Sequence, residues 1–324
     1  MSQVSAASQT FKVRDAASYD PLALEFHRFT EQLTGPLAAR MVALAQLTPH
    51  DSVLDVGTGT GIVALKAARQ LGAAGKVLGV DLSDGMMTVA RDRTRESGLN
   101  AQVEFRKMDA EALDLTDLSF DVVTSLFALL HFPDPLAALR EMFRVLRPDG
   151  RLVVAVGSGP QRFSLPGVVE GFRRVHTMSL ERRGRRLTAP GFLDSLVNMR
   201  LPEPNEAEES SLAAHSKNRA ATITQLVRSA GFADIKNHWQ GHQAVIDSPE
   251  EFWEMQRTFS SIARKRLSRV PSEKSEEVRH EFLSRSRLVQ AAGGKLVYPF
   301  AAFFVSARRP RGYCAATQSQ NRER

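Results

Sequence analysis

The residues best suited to chemistry lie in one stretch near the start of the chain. Gly57, Gly59 and Gly61 follow a short apolar run and precede a helical apolar pattern. Strand, glycine turn and helix in this order present free backbone N–H groups to a polar or anionic ligand at a sheet edge. Twenty residues after Gly61, the apolar run VLGVDL contains Asp81, a carboxylate placed to accept hydrogen bonds from ribose hydroxyls. The combination predicts a cofactor that contains a nucleoside.

The spacing of the glycines distinguishes between cofactor classes. A dinucleotide-binding turn has Gly, one residue, Gly, two residues, Gly. Here the third glycine comes one residue early, and Ile62 occupies the position of the last dehydrogenase glycine. Asp55 adds a carboxylate before the turn, which would repel a pyrophosphate and attract an ammonium group. The pattern therefore disfavours an oxidoreductase that uses NAD.

The stretch from Val53 to Val156 resembles the class I S-adenosylmethionine-dependent methyltransferases, within their small-molecule branch of the quinone-biosynthesis kind. The resemblance implies an enzyme whose cofactor is S-adenosyl-L-methionine. The cofactor contacts that it implies are Tyr19, Asp55, Gly57, Thr58, Gly59, Gly61, Asp81, Leu82, Met86, Asp109, Ala110 and Phe127.

Several of these residues have a specific expected role and an alternative. Asp109 is expected to face the adenine amino group while the N–H of Ala110 meets a ring nitrogen; the alternative for Asp109 is a simple turn aspartate. Met86 would pack on the adenine, or else fill a gap in the core. Tyr19 would reach the methionine end of the cofactor, or else pack on the core where its helix begins.

His131 is the candidate catalytic residue because it follows the fourth predicted strand on the ligand side. A general base is needed only if the acceptor is protonated at the working pH. The alternative for His131 is a wall residue that transfers no proton. Phe127 offers a π-face to a sulfonium, or a plain hydrophobic wall. His27, Glu31 and His176 are weaker candidates for a base.

The apolar patterns predict an α/β fold, a Rossmann-like sheet of seven mostly parallel strands with helices on both faces and an antiparallel edge. An N-terminal lead and helical cap are expected over residues 1–49, and the methyltransferase domain over 50–308. Helical insertions after strands five and six, at about 160–215 and 248–292, are expected to form a lid on the substrate side. Residues 309–324 are expected to form a disordered basic tail.

The composition of the chain further restricts the class of protein and the compartment to expect. The 324 residues are 43% hydrophobic, which is enough for a sizeable core. Cys314 is the single cysteine, so an internal disulfide is excluded and a reduced compartment is expected. The first ten residues lack the basic and apolar regions of a signal peptide, and no apolar run approaches the length of a membrane span. We therefore expect a cytoplasmic protein.

The net charge of +7 comes largely from arginine clusters within residues 162–186, 264–269 and 308–311. Aromatic residues suited to base stacking are scarce between them, so solvated helix faces are favoured over a nucleic-acid track. An RNA or other nucleic-acid methyltransferase and a non-catalytic cofactor-binding module remain the alternatives.

Signatures of other methyl acceptors are missing from the sequence. No Asn-Pro-Pro-aromatic motif follows the fourth strand, which argues against methylation of an exocyclic base amine. The only cysteine lies in the tail, which excludes a covalent cysteine mechanism on a pyrimidine. No metal-ligand cluster has a suitable spacing. The favoured function is in-line methyl transfer to an O or C nucleophile of a small, moderately apolar molecule. The partner is therefore a small-molecule acceptor; the acceptor atom and the oligomeric state stay open, with a homodimer as one option.

Overall fold

The computed structural model describes residues 12–13, 15–157, 177, 179–181, 183–189, 191–201 and 219–312. The strands are β1 (Ser52–Val56), β2 (Lys76–Asp81), β3 (Val103–Lys107), β4 (Phe120–Leu126), β5 (Leu146–Gly157), β6 (Arg186–Thr188), β7 (Ala233–Ile246) and β8 (Lys295–Arg308). The α-helices are α1 (Ala23–Leu33), α2 (Gly35–Ala45), α3 (Ile62–Ala68), α4 (Asp84–Glu96), α5 (Pro135–Val145), α6 (Gly191–Arg200), α7 (Arg219–Ser229), α8 (Pro249–Phe259), α9 (Ser261–Leu267) and α10 (Ser272–Ala291). Short 3₁₀ helices span Asp20–Leu22 and Ala128–His131.

The strands form one mixed sheet in the order β3-β2-β1-β4-β5-β8-β6, with β7 paired to the other edge of β8. Strands β1 to β5 pair in parallel, whereas β8 is antiparallel to both β5 and β7. The predicted α/β fold with an antiparallel edge is confirmed, but the described part of the chain has eight strands rather than seven. The extra strand, β6, pairs only three of its residues with β8. Three residues are too few to show the alternation of apolar and polar side chains by which a strand is recognised in a sequence.

Alternating strand residues bury both faces of the sheet. Leu54 and Val123 pack on one side beneath α5 and α7, whereas Val53 and Val122 pack on the other beneath α2, α3 and α4. A strand buried on both faces reads as a nearly continuous apolar run, as residues 152–156 of β5 do, and in β4 the small polar side chains of Thr124 and Ser125 are buried as well. The parallel strands therefore hold their carboxyl ends in fixed positions along one edge of the sheet.

Strands β7 and β8 extend beyond that edge. Gly157, the last residue of β5, pairs with Ala302, so residues 295–301 of β8 continue past the carboxyl end of the parallel strands. This extension and the paired end of β7 join α1, α6, α8, α9 and α10 in a separate hydrophobic cluster, which we call the third cluster. The described parts of the predicted insertions thus lie on the side of the sheet edge where ligands bind in such folds. Whether they act as a lid stays a prediction, as do the domain boundaries.

Two local predictions differ from the structure. The sequence predicts one helix over residues 249–268, but the backbone is extended at Ser260, which caps α9 through the N–H of Ala263 at 3.1 Å. The basic tail was expected from residue 309, yet Arg309 donates to the carbonyl oxygens of Phe143 and Leu146 at 2.6 and 2.8 Å. These contacts attach residue 309 to the end of α5. Residues 2–11 of the predicted lead, most of the arginine-rich insertion and residues 313–324 lie outside the described residues.

Within the described residues, no helix combines the length and the apolar character needed to cross a membrane.

Candidate functional site

A cavity of about 300 Å³ lies at the carboxyl edge of the sheet, where β1, β2 and β4 end. Pockets of this size and larger are typical of small-ligand sites. Its lining contains the predicted residues Tyr19, Asp55, Gly57, Thr58, Gly59, Asp81, Leu82, Met86, Asp109, Ala110, Phe127 and His131. Gly61 is not part of the lining. A Cβ at position 61 would lie 3.1 Å from Phe105 Cζ, so Gly61 allows α3 to pack closely on β3.

The glycine turn is bonded to the end of β2. The N–H groups of Gly57 and Thr58 both donate to the carbonyl of Val80, at 2.8 and 3.0 Å. Gly57 has φ +68°, and a Cβ there would overlap Ala128. Gly59 has φ +54°, and a Cβ there would meet no atom within 4 Å. Glycine at these two positions permits the left-handed backbone and leaves the space beside Gly59 open to a ligand.

Asp81 is fixed by backbone donors on both of its oxygens. Its Oδ2 accepts from Gly59 N at 2.8 Å and its Oδ1 accepts from Ser83 N at 3.0 Å. Burial raises the pKa of this carboxyl above its ordinary value. Each carboxylate oxygen has a second acceptor site, so Asp81 can still accept from two adjacent hydroxyls of a ligand.

Asp55 is a buried carboxyl without a basic partner among the hydrogen bonds of the described residues. Its side chain accepts from the hydroxyls of Thr58 and Thr124 at 2.7 and 2.8 Å. The residue is 1% exposed, and burial raises the pKa of Asp55 to about 6. A negative charge held here is stabilised by any cationic ligand group that enters the cavity.

Thr60 was not singled out by the sequence, but it lines the cavity and is buried. Its Oγ1 has no hydrogen-bond partner in the described part of the chain. An unpaired buried hydroxyl costs about 1–3 kcal/mol, and a polar group of a ligand in the cavity would remove that cost. The open space at Gly59, the free acceptor sites of Asp81 and this hydroxyl therefore fit a polar nucleoside cofactor.

Asp109 lies two residues after β3 and lines the cavity, and its side chain has a partner that the sequence did not reveal. Lys12 Nζ is 2.6 Å from Asp109 Oδ2 and 2.7 Å from Glu111 Oε2. Burial lowers the pKa of Lys12, but its two acidic partners outweigh burial and the net pKa is raised. The expected contact of Asp109 with an adenine amino group remains a prediction, and Lys12 would share that carboxylate with it.

The N-terminal segment, defined as residues 12–13 and 15–20, runs along the cavity. Tyr19 lies edge-on to His131, with ring centroids 5.7 Å apart, and Arg264 lies over the Tyr19 ring at 4.8 Å. Burial raises the pKa of Tyr19. His131 Nδ1 is 2.9 Å from Asp15 Oδ2, so the segment contacts His131 through two side chains. Asp15 was not predicted, because it lies 116 residues from His131 in the chain.

An aromatic wall, formed by Phe26, Phe127, Phe259 and Phe300, borders the same cavity. The ring centroids are 4.5 Å apart for Phe26 and Phe259, 6.0 Å for Phe259 and Phe300, and 5.4 Å for Phe127 and Phe300. These distances are those of contacting aromatic pairs. Only Phe127 was predicted to lie here; the other three come from α1, the end of α8 and the extension of β8.

The remaining candidates lie elsewhere. Glu31 forms ion pairs with Lys66 and Arg93 at 3.0 and 3.4 Å and does not line the cavity. His27 also lies outside the lining, and burial followed by the charge of Arg93 lowers its pKa. His176 is outside the described residues. No group of acidic, histidine or cysteine residues that could hold a metal ion occurs in the ranges that the structure describes.

The arginine cluster within residues 264–269 takes part in the packing of α9 against the end of α6. Arg266 is buried on α9 and donates to the carbonyl of Leu201 at 2.8 Å and to the side chain of Asn198. Arg264 faces Tyr19 as described above. Two of the basic residues in this cluster are thus engaged inside the protein, which leaves less charge for a nucleic-acid track.

This chain is similar to several known methyltransferases. Residues 54–154 match the family model of the methyltransferase domain. Methyltransferase GfsG from Streptomyces halstedii is 41% identical over 165 residues, which are 50% of this chain and 56% of that protein. The ubiquinone/menaquinone biosynthesis C-methyltransferase UbiE from Azotobacter vinelandii is 36% identical over 161 residues, 48% of this chain and 61% of that protein.

The chain thus spans less than two thirds of the length of these curated relatives. Among solved structures, the YcgJ protein from Bacillus subtilis superimposes with a TM-score of 0.48 at 20% identity, over 85% of this chain and 98% of that one.

Proposed function

Because the chain carries a class I S-adenosylmethionine-dependent methyltransferase domain, we propose that it transfers a methyl group from S-adenosyl-L-methionine to an O or C nucleophile of a small, moderately apolar molecule. One observation carries the proposal. The glycine turn and the fixed carboxylate of Asp81 line the same cavity as the aromatic wall, so polar groups suited to the cofactor and apolar groups suited to the acceptor face one space.

The cofactor would be held by the residues at the ends of the first three parallel strands. Asp81 would accept from the ribose hydroxyls, Asp55 and Thr60 would lie toward the amino-acid end, and Met86 and Asp109 toward the adenine. When bound, the cofactor supplies a methyl group on a positively charged sulfur, so that the acceptor's electron pair forms the new bond to carbon and the pair of the broken bond stays on sulfur. The protein's own task is to orient the acceptor and exclude water.

The aromatic wall supports an apolar acceptor. Among the described residues, Lys12 is the one lysine or arginine that lines the cavity, and Asp109 and Glu111 already engage it. A strongly anionic acceptor would therefore meet no free cation there. The relative from Azotobacter vinelandii is named as a C-methyltransferase of ubiquinone and menaquinone biosynthesis, which supports a carbon acceptor in a small apolar molecule. The single cysteine supports a cytoplasmic location.

Isothermal calorimetry with S-adenosyl-L-methionine, S-adenosylhomocysteine and NAD tests the proposal. We expect micromolar binding of the first two and no binding of NAD. Asp81→Ala removes the acceptor for the ribose hydroxyls and should weaken S-adenosylhomocysteine binding by about 1–3 kcal/mol, or about 5- to 150-fold.

Asp84→Ala is the matched control, because Asp84 lies three residues further on, is exposed, pairs with Lys107 and does not line the cavity. Its affinity for S-adenosylhomocysteine should equal that of the wild type. Tighter binding of NAD than of S-adenosyl-L-methionine, or equal losses in the two variants, would refute the proposed function.

A further inference from the structure

The N-terminal segment is anchored at both ends on loops that surround the cavity. At one end, Lys12 bridges Asp109 and Glu111 at 2.6 and 2.7 Å. At the other end, Asp20 Oδ1 accepts from the hydroxyl of Ser83 at 2.6 Å. A Cβ at Gly85 would lie 2.7 Å from the backbone of the same aspartate, so this end of the segment fits closely. The residues between the two anchors are consequently held over the site.

Asp15 lies between these anchors and faces His131. Its Oδ2 is 2.9 Å from His131 Nδ1, and its side chain is 15% exposed against 47% for the histidine. Tyr19, four residues further along, packs edge-on against the same imidazole at an interplanar angle of 88°. Two residues of one segment thus fix both the hydrogen bond and the plane of the His131 ring.

The chemistry of this pair gives Asp15 a role. An ionised carboxylate only accepts hydrogen bonds, so the neutral imidazole carries its proton on Nδ1 and leaves Nε2 with a free electron pair. We infer that Asp15 is a positioning residue that holds His131 in the tautomer of a general base for the acceptor. This inference rests on the proposed function.

The proton transfer balances within the proposed reaction. As the acceptor's electron pair forms its bond to the methyl carbon, the proton on the acceptor oxygen or carbon passes to Nε2 of His131. The imidazolium that forms is stabilised by the negative charge of Asp15, and it returns its proton to solvent afterwards.

Attachment of the N-terminal segment alone does not explain the contact between Asp15 and His131. An ion pair with one member about half exposed contributes only about 0–1 kcal/mol, whereas Lys12 and Asp20 already hold the segment through buried or partly buried contacts. The contact of Asp15 therefore adds little attachment, while it determines which nitrogen of His131 carries the proton.

The test reads the tautomer directly by ¹⁵N NMR of histidine-labelled protein, with the His131 signals assigned from His131→Gln. In the wild type, the neutral His131 ring should be protonated on Nδ1. Asp15→Asn replaces a charged acceptor with a neutral one, and the ratio of the Nδ1–H to the Nε2–H form should fall by about tenfold. The same samples are titrated with S-adenosylhomocysteine, and Asp15→Asn should bind it within about threefold of the wild type.

Asp84→Asn is the matched control, because it neutralises an exposed carboxylate that pairs with Lys107, does not line the cavity and does not hold the segment. It should keep the wild-type tautomer ratio. Equal ratios in the wild type and Asp15→Asn, or an equal change in Asp84→Asn, would overturn the positioning role. Loss of S-adenosylhomocysteine binding in Asp15→Asn with an unchanged tautomer ratio would likewise overturn the positioning role. Asp15 would then serve only to hold the N-terminal segment over the cavity. Absence of binding in the wild type would count against the proposed function and leave the tautomer measurement valid.

Discussion

Asp55→Asn should stabilise the protein at neutral pH. Asp55 is fully enclosed and accepts from two threonine hydroxyls. Burial raises its pKa to about 6, so keeping the charge at pH 7 costs folding free energy. Asparagine has nearly the same shape and no charge, and its amide can bond with the hydroxyls of Thr58 and Thr124.

The magnitude follows from the difference between the folded and the ordinary pKa. The ordinary value is 3.8 and the folded value about 6, and each tenfold change in proton affinity corresponds to 1.36 kcal/mol. Between about pH 4 and pH 6 the folded protein binds a proton at Asp55 that the unfolded chain does not, so the free energy of unfolding falls as pH rises. At pH 7 the loss amounts to about 3 kcal/mol, which is the upper value for the gain in Asp55→Asn.

Urea unfolding of both proteins at several pH values between 4 and 7 measures this gain. The difference should be largest at pH 7 and shrink toward pH 4. Asp51→Asn is the matched control, since Asp51 is also buried but pairs with Arg151 at 2.5 Å; this change should destabilise the protein. A difference between Asp55→Asn and the wild type that does not vary with pH, or a destabilisation equal to that of Asp51→Asn, would refute the reasoning.

Two further changes test the turn and the third cluster. Gly57→Ala forces a left-handed backbone on alanine, and the new methyl group overlaps Ala128. The variant should lose about 1–2 kcal/mol or more of unfolding free energy in urea and should show no calorimetric binding of S-adenosylhomocysteine. Wild-type affinity would contradict this prediction. Phe282→Ala removes a fully buried ring of the third cluster and should cost about 3–5 kcal/mol, while the protein that remains folded keeps its affinity for S-adenosylhomocysteine. A loss below about 1 kcal/mol would show that the cluster repacks freely.

Local spacing made the positions of the glycine turn and of Asp81 at the cavity predictable. Gly57, Gly59 and Asp81 belong to two adjacent parallel strands and the turns that follow them, and Gly59 N bonds directly to Asp81. A strand, its turn and the next strand fix such positions with little help from the rest of the chain. The same logic placed Asp109 and His131 at the edge, because they follow β3 and β4.

Contacts between distant segments could not be predicted. Lys12 meets Asp109 across 97 residues and Asp15 meets His131 across 116, and no sequence period links such pairs. Phe259 and Phe300 reach the cavity only because α8 ends there and β8 extends beyond the sheet edge. The contact of Gly61 with the cofactor stays a prediction, although Gly61 packs against Phe105 outside the cavity lining. A glycine needed for close packing has the same spacing as one needed for ligand approach.

The extension of β8 has a consequence for how ligands enter and leave. The ladder between β7 and β8 runs without interruption from Lys236 opposite Ser306 to Ile246 opposite Leu296, so it crosses from the parallel sheet into the helices above it. A hinge between these two parts would have to sever backbone hydrogen bonds in both strands. The N-terminal segment, in contrast, is held to the cavity rim mainly by side chains such as Lys12 and Asp20. We therefore expect the contacts of the N-terminal segment with the cavity rim to break more easily than the ladder that joins the outer helices to the sheet.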